Sequence, residues 1–182
     1  SASRTIKNSE IVFEPGTKLC IDKDVTLNLV DSRIIMQSNS EHGGVSISSC
    51  SNSGGALVIT NSDVNIKKLS IKGLSSPSEY LKDLYGGINF INSNVYFDKI
   101  HIFSSKSEDG INFINSISNG NEIISENIYS DAIDLDYSLL KLNYLSCKKI
   151  GNDCLDMSHS TSYINKLDSK PVGDKALSSK TQ

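Results

Sequence analysis

Short apolar runs, broken by Asp, Asn, Ser and Gly, organise the chain from Ile11 onward. Ile11-Val12-Phe13, Leu19-Cys20-Ile21, Val25-Thr26-Leu27-Asn28-Leu29-Val30 and Arg33-Ile34-Ile35-Met36 come first. Val45-Ser46-Ile47 follows Gly43-Gly44, and Ala56-Leu57-Val58-Ile59 follows Gly54-Gly55. Val64-Asn65-Ile66 and Leu69-Ser70-Ile71 continue in the same grammar. Aliphatic and β-branched runs bounded by turn residues predict strands. No helix of three turns is legible. The recurring unit holds three short strands.

From Gly87 the units align without gaps. Gly87-Ile88-Asn89-Phe90-Ile91-Asn92-Ser93 recurs as Gly110-Ile111-Asn112-Phe113-Ile114-Asn115-Ser116. Ala132-Ile133-Asp134-Leu135-Asp136-Tyr137-Ser138 and Cys154-Leu155-Asp156-Met157-Ser158-His159-Ser160 keep the scheme. Strand alternation assigns Ile88 with Phe90, Ile111 with Phe113, Ile133 with Leu135, and Leu155 with Met157 to the interior. It sends Asn89, Asn112, Asp134 and Asp156 outward as a column. The corner column Asn92-Ser93, Asn115-Ser116, Tyr137-Ser138 and His159-Ser160 reads as structural, because Asn and Ser satisfy turn backbone. His159 is expected there as a corner residue rather than a catalyst.

One phrase precedes the last three of these strands and the stretch beyond them. Asp109, Asp131, Asp153 and Asp174 follow one another at intervals of 22, 22 and 21 residues. A fixed period in this range is the signature of a solenoid. The expected fold is an all-β parallel β-helix over residues 11–178, with about 22 residues per coil and roughly seven or eight coils. Residues 1–10 are expected as a polar cap or tail and 179–182 as a tail. A corner insertion is expected at about 75–85, where the register from Gly55 to Gly87 lengthens. Tyr80, Tyr85, Tyr96 and Phe97 beside it offer a sugar-stacking platform or pack into the wall.

Composition narrows the function classes. The chain has 182 residues, 37% hydrophobic and 21% charged, with a net charge of −3. It is long enough to bury a continuous core. Its basic residues are scattered, which argues against nucleic-acid binding, and no apolar run is long enough to span a bilayer. Cys20, Cys50, Cys147 and Cys154 form no CxxC pair, so zinc is not expected. Buried free thiols are the expectation, with a Cys147–Cys154 bridge as the extracellular alternative.

These residues resemble the right-handed parallel β-helix superfamily of pectate lyases and polygalacturonases. More narrowly, Ser107-Glu108-Asp109-Gly110, Ser130-Asp131-Ala132-Ile133, Gly151-Asn152-Asp153-Cys154 and Gly173-Asp174-Lys175-Ala176 look like β-helix modules of bacterial surface proteins found beside spore-coat-type kinase domains. The resemblance implies a right-handed helix and a secreted or cell-surface setting. A weaker likeness is to the polygalacturonase signature, which sets Asn-Thr-Asp-Gly one coil before Gly-Asp-Asp-Cys. Here Glu108-Asp109-Gly110 and Asn152-Asp153-Cys154 lie two coils apart, and Asn152 replaces the first paired aspartate.

Stacked at the ordinary strand spacing of about 4.8 Å, the aspartates would share one flank with Asp134, Asp136, Asp156 and Lys175. Three readings stay open. Asp109, Asp131, Asp153 and Asp174 are candidate catalytic residues, since carboxylates about 6.5–9.5 Å apart support inverting glycoside hydrolysis, and lyase chemistry is its neighbour. Asp131, Asp134, Asp153 and Asp156 are the candidate metal set, with Ca²⁺ as the cofactor, and Asp134, Asp136, Asp156 and Lys175 are candidate ligand-binding residues. In the third reading each Asp caps its own turn by accepting backbone N–H bonds. The expected function is recognition of a polysaccharide or cell-surface glycan, assisted by a cation. The alternatives are polysaccharide cleavage and a structural or interaction module with no ligand. End-to-end or oligomeric contact is expected at the C-terminal coil.

Overall fold

The computed structural model describes residues 3–51, 54–77 and 84–179. Its strands run in chain order as β1 (Ser3–Lys7), β2 (Glu10–Phe13), β3 (Lys18–Ile21), β4 (Thr26–Val30), β5 (Arg33–Met36), β6 (Val45–Ser49), β7 (Ala56–Thr60) and β8 (Asp63–Lys72). They continue as β9 (Gly86–Ile91), β10 (Asn94–Phe103), β11 (Asp109–Ile114), β12 (Ile117–Ile128), β13 (Asp131–Asp136), β14 (Leu139–Ile150), β15 (Leu155–Ser158) and β16 (Thr161–Ser169). Two parallel sheets result. One has the order β1-β4-β7-β9-β11-β13-β15, and the other has the order β16-β14-β12-β10-β8-β5-β2, with β3 and β6 joined beside β8. Ser3–Lys7, within the expected cap, is a fully exposed strand paired with β4. Of the expected insertion, residues 78–83, Tyr80 among them, lie outside the described residues.

Pairing follows the repeat read from the sequence. Ile88, Ile111, Ile133 and Leu155 are successive partners, as are Phe90, Phe113, Leu135 and Met157. All but Met157 are buried. Phe90 and Phe113 stack with ring centroids 5.1 Å apart. Burying each such side chain contributes about 1.5–3 kcal/mol.

The corner between the sheets is built on a serine ladder. The N–H of Ser9 donates to Ser32 Oγ, and the same bond recurs from Ser32 to Ser62, Ser62 to Ser93, Ser93 to Ser116, Ser116 to Ser138, and Ser138 to Ser160. The residue before each serine must adopt a left-handed backbone for the chain to turn. Asn8, Asp31, Asn61, Asn92 and Asn115 do so, with φ between 48° and 53°. Asn and Asp tolerate that region because their short side chains bond locally. Tyr137 (φ 51°) and His159 (φ 53°) occupy the same place in the last two rungs.

The cysteines correct the free-thiol expectation. Cys20 is bonded to Cys50 and Cys147 to Cys154. Register explains both, since Cys20 pairs with Ser48 and so comes beside Cys50, and Cys147 on β14 faces the corner where Cys154 begins the next inward column. Sequence spacing alone carried no such information. Beyond β16 the chain follows the preceding repeat, with the N–H of Asp174 on the Asn152 carbonyl and that of Ser178 on the Leu155 carbonyl. Gly173 is required there, because a Cβ would lie 1.9 Å from the Gly151 carbonyl oxygen. Among the described residues, no helix is long and apolar enough to cross a membrane.

Candidate functional site

The four repeated aspartates do different jobs. Asp131 Oδ1 accepts the N–H of Asp153 at 2.7 Å and the Asn152 amide at 2.8 Å. Asp153 Oδ1 accepts the N–H of Lys175 at 2.8 Å. Both side chains are buried and act as turn caps. Asp174 is exposed and pairs with the Lys175 ammonium at 3.0 Å, a surface contact of small energetic weight. That contact raises the Lys175 pKa.

Asp109 departs from the pattern. It is 4% exposed, and no hydrogen bond reaches its carboxylate among the described residues. β11 and β13 begin at the aspartate itself, so the N–H of Asp131 is already on the Glu108 carbonyl. There is nothing left for Asp109 to cap. Burial pushes its pKa up to about 8, helped by the charges of Asp134, Asp131, Glu108 and Asp136. Burial also pushes Asp134 up to about 7, helped by Asp136, Asp156 and Asp131. Asp131 is raised by burial too, but the bonds from Asp153 and Asn152 pull it back. Asp136 and Asp156 are half-buried, and Asp156 Oδ1 accepts the N–H of Met157 at 3.0 Å.

The expected outward column is only partly outward. Asn89 and Asn112 are 0% and 1% exposed. Asn89 folds back on its own strand, taking the N–H of Gly86 on Oδ1 (3.1 Å) and donating to the Gly86 carbonyl (2.7 Å). Of the metal set, Asp131 and Asp153 spend a carboxylate oxygen on caps. Among the described residues, no three Asp, Glu, His or Cys side chains gather into a cluster able to hold a metal ion. Of the aromatic residues set beside the insertion, Tyr80 lies outside the described residues. Phe97 is buried under Gly120, whereas Tyr85 and Tyr96 are exposed.

A second region, the corner column that the sequence reads as structural, presents an aromatic pair to solvent. Tyr137 and His159 stack with centroids 4.9 Å apart and planes within 6°. They form one rim of an open groove of about 600 Å³ whose other rim is the second sheet, with Lys141, Thr161 and Tyr163. Tyr137 is 65% exposed and Tyr163 61%. The groove therefore offers aromatic faces, an ammonium and several hydroxyl and amide groups to solvent. Comparison with family models, curated proteins and solved structures returned no match. The groove and the flank must be interpreted from their own chemistry. The signal that could have found the groove was the replacement of Asn by Tyr137 and His159 at a corner that otherwise uses Asn or Asp.

Proposed function

We propose that the two sheets are the walls of a right-handed parallel β-helix, and that the chain is an extracellular or cell-surface module that recognises carbohydrate. The observation that carries this reading is the aromatic pair at the corner. A bulky residue in a left-handed backbone is strained, and Tyr137 gains little burial in exchange. Strain of this kind collects where a surface is used. Aromatic faces beside hydroxyl and amide groups suit a sugar ring, with its apolar face and polar rim. The two disulfides favour an oxidising compartment.

Binding to a panel of neutral and acidic oligosaccharides, measured by titration calorimetry, tests the proposal. Saturable binding that is lost in Tyr163→Ala is the expected result. A panel without binders would leave the structural module as the better reading. Polysaccharide cleavage is the second reading, favoured by Asp134, which is held as an acid close to neutral pH as a proton donor to a leaving oxygen must be. Release of reducing ends from the same panel would establish it.

A further inference from the structure

β11 contains a buried amide oxygen that lacks a donor. In the preceding repeat, Gly86 and Asn89 close a small ring, with the Asn89 amide bonded to both the N–H and the carbonyl of Gly86. A Cβ on Gly86 would come 2.8 Å from Asn89 Oδ1 and 3.0 Å from the Cβ of Asn112. Only glycine leaves the amide that room. In the next repeat the partner of Gly86 is Asp109 and the partner of Asn89 is Asn112. By that equivalence the Asp109 side chain fills the space used by the Asn89 amide and faces the next residue of the column, Asp134, which is the partner of Asn112. The ring cannot form. Asn112 is 1% exposed and its Oδ1 has no hydrogen-bond partner.

Buried acceptors without donors cost free energy, most of all when they are carboxylates. Here the orphaned Asn112 amide oxygen lies on the strand that carries the buried Asp109 carboxylate and beside Asp134, the register partner of Asn112, whose carboxylate takes a backbone bond from its own neighbour Leu135. Asp134, half-buried, leaves one side open to solvent. We propose that Asp109, Asn112 and Asp134 bind a calcium ion. Hard oxygen donors with no nitrogen or sulfur select Ca²⁺ over transition metals, and its six to eight ligand positions are readily completed by water. The site differs from the capping aspartates, because Asp131 and Asp153 each spend an oxygen on the backbone of the next repeat, whereas among the described residues Asp134 bonds only to its own neighbour Leu135. It stands independently of the glycan groove, which lies past the ends of β11 and β13 at Asn115 and Tyr137 and shares none of these three residues.

The test is thermal unfolding and calorimetric titration of the whole chain at one fixed pH near 7.5, with CaCl₂ compared against NaCl of equal ionic strength. One Ca²⁺ per chain and a Tm rise of a few degrees are expected, because an ion that binds only the folded state stabilises it. Asp134→Asn should abolish both effects, and Asp109→Asn should abolish them while melting higher than the unsubstituted chain in chelator. Asp98→Asn, which removes a surface partner of Lys67, should leave the calcium response intact. No response beyond matched salt overturns the site. So does a calcium response that survives in both Asp109→Asn and Asp134→Asn.

Discussion

The acidic flank and the aromatic corner look alike as sequence and differ as structure. Both are columns that repeat with the strands. In the flank, repetition signals chemistry to a reader of residue types, yet Asp131 and Asp153 are turn caps. In the corner, repetition signals architecture, yet its last two rungs abandon the Asn or Asp that suits the backbone. The teaching is that a ladder describes the fold, and its departures describe the use. Asp109 is the departure in one column, and Tyr137 with His159 is the departure in the other.

The largest effect expected from this contrast falls on a cap. Asp131→Ala leaves the N–H of Asp153 and the Asn152 amide without their acceptor, and should cost about 3 kcal/mol in denaturant unfolding. If the flank were a site with no structural duty, the same change would leave stability intact and alter only binding.

Asp109→Asn should act in the opposite direction. The Asp109 pKa is raised, so the folded state holds a proton that the unfolded chain, at about 3.9, releases. Stability is therefore full below about pH 4 and falls as pH rises toward about 8, above which it is level. Asp134 adds a fall in the same direction that ends near pH 7. An asparagine at position 109 cannot ionise and removes its share of the slope. In metal-free buffer at pH 7.5 the variant should be more stable, by on the order of 2 kcal/mol. Unfolding curves from pH 4 to 9 check this, and parallel profiles for the two proteins would show that Asp109 is ordinary.

Strand-rich, parallel, periodic architecture was legible because inward pairs such as Ile111 with Phe113 alternate with polar residues, and because the offsets repeat. Which aspartates cap was not legible. It depends on whether the following strand starts at its own aspartate, as β13 does after Asp109, or two residues past it, as β15 does after Asp131, and Asp109 and Asp153 sit in nearly the same local sequence. The burial of Asn89 was hidden for a related reason, since alternation gives a side chain's face and not its hydrogen bonds. Cys20 and Cys50 are far apart in the chain, and only register brings them together.

The smallest effect separates the two columns most cleanly. Tyr137→Asn restores the residue type that Asn92 and Asn115 use at the same rung. It removes a strained aromatic backbone, so stability should rise by about 1 kcal/mol, less the modest ring contact with His159. The same change strips one aromatic face from the groove and should weaken oligosaccharide binding about tenfold, near 1.4 kcal/mol, within the range measured for a stacked aromatic pair. A variant that is more stable and binds less well is the mark of a residue kept for use. If Tyr137→Asn instead lowers stability and leaves binding unchanged, the tyrosine is a rung of the wall, and the corner carries no more function than the serines beneath it.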